Sequence, residues 1–141
     1  MKRKIETDIR LLRHKSAVIE PKEAQSIIKD LEDSLDLSKG IGLSAIQIGI
    51  EKRVGIIRIG NNKINLINPK IIEKSEKFKF KGERCLSLPG LPVDTIRYSQ
   101  IIVENNGKPY FSYGLEACAI QHEIDHMNGM LIIDRKWQRK K

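Results

Sequence analysis

The sequence predicts one domain that combines α-helices with antiparallel β-strands, and three observations predict it. Residues 20–40 carry apolar side chains at helical spacing, the middle of the chain is a series of β-branched segments separated by turn signals, and a helical period returns after residue 114. A chain of 141 residues is the size of one domain with its own core, so a single unit over 1–141 is expected and a two-domain reading has no support.

In the stretch "EPKEAQSIIKDLEDSLDLSKG", Ala24, Ile27, Ile28, Leu31 and Leu35 line one side of a helix, with Pro21 where the first turn tolerates it and Gly40 beyond the end. The segments "RVGIIRI", "INLINPKII", "KFKF" and "IRYSQIIVE" read as short antiparallel strands. The Asn106-Gly107 pair in "VENNGKPYFSYG" is the signal of a tight hairpin, with a strand on either side. A second helix is expected to start near Leu115. Leu115, Ala119, His122 and His126 recur at intervals of four, three and four and so share a face, and Gly129 stands where a left-handed residue would end the helix.

Hydrophobic content of 40% with 31% charged residues describes a globular chain rather than a disordered one, and 5% aromatics mean a core built mainly from Ile and Leu. The net charge of +8 favours encounters with polyanions but does not by itself specify a site for them. "MKRKIETDIRLLRHK" has no apolar stretch of a signal peptide, and no run approaches a membrane span, so a membrane partner is not expected. Cys85 and Cys118 read as reduced thiols in a cytoplasm.

The segment "ACAIQHEIDHMNGM" poses the chemical question. Histidines at i and i+4 bring two imidazoles together one turn apart, within reach of one ion, and Glu123 beside the first can handle protons for an activated water. The competing reading is two solvated histidines beside a surface glutamate, so a third ligand decides between them. The long zinc-protease motif would place a histidine where Ile132 stands, and Asp134 lies too near in sequence to replace it. The third ligand is therefore expected upstream. Cys85 in "GERCLSLPG" is a soft donor, preceded by Glu83 and followed by a proline expected to end its strand; the alternative is a buried, inert thiol. His14, between Arg13 and Lys15, is a rival ligand expected to be exposed.

Three stretches, "GIGLSAIQIG", "ERCLSLPG" and "QHEIDHMNG", in this order closely resemble the signature motifs of peptide deformylases, GxGLAAxQxG, EGCLSxP and HExDHxxG, and the similarity runs from the first helix to Gly129. The resemblance implies an α+β fold in which antiparallel strands pack around a central helix carrying HExxH. It implies Cys85, His122 and His126 as ligands of Fe²⁺, with Zn²⁺, Ni²⁺ or Co²⁺ able to occupy the same site. It implies hydrolysis of the formyl amide of N-formylmethionyl nascent peptides, releasing formate. Glu123 would take a proton from the attacking water and return one to the leaving amine, while the Gln47 amide and the Leu86 backbone N–H receive the oxyanion.

An extended peptide could lie beside Ile41, Gly42 and Leu43, where Gly40 and Gly42 permit close approach, with Ile41, Leu115 and Ala119 walling an apolar pocket for the methionine side chain. The resemblance also suggests a buried Glu83–Arg97 pair. Two positions depart from the pattern. Ser44 replaces alanine, a small change expected to do little, and Arg84 replaces the glycine before the cysteine-bearing position, on the opposite side of its strand from Cys85, where it bears on substrate preference. The chain stops about a dozen residues past Gly129, like the short forms encoded by bacteriophages, and a phage or minimal source and a monomer are expected. The basic segment "DRKWQRKK", with Arg135, Lys136, Arg139, Lys140 and Lys141 around Trp137, is a candidate contact to the ribosome, against the simpler reading in which Trp137 packs on the domain and the cations face water. The competing functional readings are a zinc metallopeptidase and a non-catalytic, deformylase-like peptide-binding protein.

Overall fold

The computed structural model describes residues 1–138. A single helical turn, α1 (Ile9–Leu12), precedes α2 (Ala24–Ser34), which is entered through a 3₁₀ turn at Pro21–Glu23. Strands β1 (Gly42–Ser44), β2 (Val54–Ile59) and β3 (Asn62–Ile67) form one antiparallel sheet in that order. A second antiparallel sheet contains β4 (Lys70–Cys85), β5 (Leu88–Asn105) and β6 (Lys108–Tyr113). Helix α3 (Gly114–Met127) follows β6 directly, and a 3₁₀ turn at Ile132–Arg135 comes after it. The class is α+β, with HExxH on the second long helix.

β2 divides the core. Its alternation sends Val54 and Ile56 into a cluster with Ile28 and Leu31 of α2, while Ile57 turns the other way and joins Ile101, Val103, Ile120 and Ile124. Helix α3 thus packs against the first sheet on one side and β5 on the other. Such a helix must be buried nearly all round, and from Ala117 to Met127 only His122 is not fully buried. Its polar residues are accommodated one by one: Gln121, for example, accepts from the Tyr98 N–H at 2.9 Å and donates to the Tyr98 carbonyl at 2.7 Å.

The strands differ from their expected lengths. "INLINPKII" is two strands broken at Asn68–Pro69, whereas "KFKF" and "IRYSQIIVE" are parts of one hairpin whose arms are 16 and 18 residues long. Gly82, at positive φ, is absorbed by a ladder whose register shifts between Ile71 and Glu73 and again between Phe80 and Cys85, while the register is the same on both sides of Glu76, also at positive φ. Pro89 does not end the Cys85 strand: the chain reverses at Leu86–Ser87, Cys85 pairs with Leu88, and Pro89 already belongs to β5. The Asn106-Gly107 turn is as expected, with both residues at positive φ and β5 pairing with β6. Helix α2 stops at Ser34, well before Gly40, where the Ser34 hydroxyl donates back to the Asp30 carbonyl.

Candidate metal centre

The cysteine-bearing end of β4 and the middle of α3 meet beneath the edge strand β1. Cys85, His122 and His126 bring one ligand atom each to within 4.8 Å of one another. His126 Nε2 lies 3.4 Å from Cys85 Sγ and 3.2 Å from His122 Nε2, so both rings present the same nitrogen to the sulfur. A thiol and two imidazoles so placed suit a borderline-soft divalent ion such as Fe²⁺ or Zn²⁺. His14, the rival ligand, is exposed and pairs with Glu51 at 3.1 Å, away from the cluster.

The outer nitrogen of His122 is fixed by a carboxylate: Nδ1 lies 2.7 Å from Glu83 Oε2. Glu83 is held by Arg97, whose Nε donates to Glu83 Oε1 at 2.8 Å, and Arg97 NH1 donates to Asp125 at 2.7 Å. Arg135 closes the chain of charges with a donation to Asp125 Oδ1 at 2.9 Å. Arg97 is 2% exposed, so its charge is tolerated only because two carboxylates face it. The expected Glu83–Arg97 pair is therefore the centre of a longer network. Asp125 and Arg135 were not foreseen as members, because their partners come from β5 and from the turn after α3.

These contacts order the protonation states. Burial works against ionising Glu83, but Arg97 and His122 outweigh it and hold its carboxyl well below the usual range. Burial likewise opposes charge on His122, yet the Glu123 carboxylate, Cys85 and Glu83 prevail and keep its pKa well above that of an ordinary histidine. Burial, together with positive His122 and Arg97, pushes His126 well below it, leaving a neutral donor. Burial also raises Glu123. Cys118, on the same helix, is pushed up to about 11 by burial and is an inert thiol.

Gln47 is 1% exposed, in the 3₁₀ turn Ala45–Ile48 that follows β1. Its Oε1 accepts the Ser44 N–H at 2.9 Å, which fixes the orientation of the amide: Nε2, the donor, must face Ser87 Oγ at 3.1 Å and Cys85 Sγ at 3.8 Å. Ser87, a partner of the Gln47 amide, was not foreseen. Glu123 is also buried, and its Oε2 stands where Gly42 has no side chain; a Cβ there would lie 2.5 Å away. The hydroxyl of Ser44, the residue that departs from the motif's alanine, lies 2.9 Å from Glu123 Oε1.

A cleft of about 650 Å³ opens over these groups, and Gly40, Ile41, Gly42, Leu86, Leu115 and Ala119 are among its walls. Arg84 is exposed at its rim, on the opposite side of β4 from Cys85. Leu43, in the stretch beside which a peptide was expected to lie, has its side chain in the core cluster with α2, while its backbone, paired with Ile56, runs in the edge strand. In the basic segment, Trp137 is half-buried with its backbone N–H donating to the Asp94 carbonyl at 2.8 Å, and Arg135 is engaged with Asp125; Arg139, Lys140 and Lys141 lie outside the described residues. Among the described residues no helix is long and apolar enough to cross a membrane.

Comparison with known proteins agrees with this geometry. The sequence model of Polypeptide deformylase matches residues 3–141. A peptide deformylase of Heliobacterium modesticaldum is 38% identical over 114 residues, covering 77% of this chain and 75% of that one. The crystal structure of peptide deformylase from Thermotoga maritima superposes with a TM-score of 0.87 at 30% identity, covering 98% of this chain and 99% of the other. A probable peptide deformylase from Synechococcus phage S-SSM7 superposes with a TM-score of 0.82 at 36% identity, covering 95% and 99%. The chain belongs to the polypeptide deformylase family, metal-dependent enzymes that remove the N-formyl group from nascent polypeptides.

Proposed function

We propose that Cys85, His122 and His126 hold the divalent ion of this deformylase, that Glu123 moves the protons of the reaction, and that Gln47 with the Leu86 N–H receives the oxyanion. The observation that carries this reading is the convergence of one thiol and two imidazoles within 4.8 Å, beside a buried carboxylate and an amide whose donor is fixed by its neighbours. The ion, Fe²⁺ by the family resemblance with Zn²⁺, Ni²⁺ or Co²⁺ as substitutes, supplies Lewis-acid activation of water.

The remaining chemistry falls to the chain's own residues. An N-formylmethionyl peptide lies extended beside β1. The Ile41 carbonyl already accepts the Arg58 N–H at 2.6 Å, so strand alternation turns the backbone of Gly42 to the open edge, where the peptide adds as a further strand. Ile41, Leu115 and Ala119 enclose the methionine side chain. Glu123, its pKa raised by burial, accepts a proton from the attacking water and delivers one to the amine as the C–N bond breaks. The Gln47 Nε2–H group, with the Leu86 N–H, stabilises the negative charge that develops on the formyl oxygen. Arg84 at the rim bears on the residues after methionine.

The enzyme works in a bacterial or phage-infected cytoplasm as a monomer, which a light-scattering mass near 16.2 kDa would support and a doubled mass would refute. The basic C-terminal segment lets it dwell near ribosomal RNA. The ligand set is tested by anaerobic purification of Cys85→Ala, His122→Ala and His126→Ala with metal analysis. Each is expected to lose the ion while remaining folded, and full metal content in any one of them removes that residue from the set.

A further inference from the structure

We infer that Ser44 is a positioning residue of the reaction, aligning Glu123 through its hydroxyl and Gln47 through its backbone N–H. The inference rests on the proposed roles of those two residues and adds a third to them, at a position where the family motif has alanine and so lacks the hydroxyl.

Ser44 is fully buried at the end of β1, and its hydroxyl proton has two acceptors in reach: Glu123 Oε1 at 2.9 Å and the Glu123 carbonyl at 3.0 Å. One proton serves one acceptor at a time, and an ionised carboxylate is the stronger. A glutamate side chain turns about three bonds, so a buried carboxylate needs a specific contact to hold one orientation. Among the described residues, Ser44 Oγ is the side-chain donor to this carboxylate. With Oε1 pinned there, Oε2 is left facing the bare α-carbon of Gly42 at the cleft. The same residue's N–H accounts for the orientation of the Gln47 amide at 2.9 Å. Removing the hydroxyl leaves that N–H untouched. The effect of Ser44→Ala should therefore fall on Glu123 and not on Gln47.

The test uses the full, metal-loaded chain on formyl-Met-Ala-Ser. Ser44→Ala is expected to lower kcat about tenfold, with KM and metal content unchanged, because the carboxylate spends less time aligned. A second readout is a double-mutant cycle of Ser44→Ala with Glu123→Ala followed by urea unfolding. A coupling of about tenfold in the unfolding equilibrium is expected if the two side chains interact. Wild-type kcat in Ser44→Ala, a kcat loss that only follows lost metal, or additive stability changes in the cycle would each overturn the inference. An active Glu123→Ala enzyme would instead sink the proposed role of Glu123, and the two failures are therefore distinguishable.

Discussion

Gln47 has two polar ends in a buried setting, and each is accounted for: the oxygen by the Ser44 N–H, the nitrogen by Ser87 and the edge of the ligand cluster. A donor that is already aimed costs little reorganisation when charge develops on the substrate, so its value should lie in the transition state. Gln47→Ala is expected to lower kcat on the order of 10²-fold while KM moves little; normal kcat with a raised KM would reassign it to ground-state binding. Arg84 would act on a smaller scale. An exposed pair with an acidic residue after methionine is worth no more than about 1 kcal/mol, so Arg84→Gly should change preferences by several-fold, and identical profiles for both proteins would remove it from the specificity site. At this scale much of the site was legible in sequence, because i, i+4 histidines on a helix have one possible relation to each other. Ser44 was not, since a hydroxyl in place of a methyl says nothing about which acceptor lies opposite it.

The turn at Ile132–Arg135 shows what can and cannot be read at the level of elements. Asp134, considered in sequence only as a metal ligand and rejected, is a fastener: its carboxylate accepts Arg13 NH1 at 2.6 Å and the Leu131 N–H at 2.8 Å, tying the turn to α1. The Arg13 guanidinium, with help from the Leu131 N–H, holds the Asp134 carboxyl below the usual carboxylate range. A depressed folded pKa contributes stability above the unfolded value, about 3.9, and that contribution is lost as pH falls through the folded value. Asp134→Asn should therefore cost about 1 kcal/mol in urea unfolding at pH 7 and less at about pH 3, below the unfolded value. An equal cost at both pH values would mean that the pair with Arg13 carries no stability. The helices and the Asn106-Gly107 hairpin were readable because period and turn chemistry are local. The β4–β5 hairpin was not, because register shifts between Ile71 and Glu73 and around Gly82 let one long ladder continue where separate short strands were expected.

Across the whole molecule, α3 lies between two sheets and carries the two histidines in its middle, while the end of β4 supplies Cys85 and the 3₁₀ turn after β1 supplies Gln47. The net charge of +8 favours encounters with polyanions. If the basic end engages ribosomal RNA, the full chain should co-sediment with ribosomes at low salt, lose that binding steeply as salt rises, and bind less when ended at Trp137. Equal pelleting of the two versions would leave the tail a solvated end. If this chain hydrolyses formylmethionyl peptides at a Cys85–His122–His126 metal centre with Glu123 as proton carrier, metal analysis and formate release from formyl-Met-Ala-Ser, on the anaerobically purified chain and on Glu123→Ala, will show it. Metal is expected in both proteins, formate from the first, and a rate at least about 10²-fold lower from the second. Bound metal without formate from the unaltered chain, or metal lost along with Glu123, would contradict it.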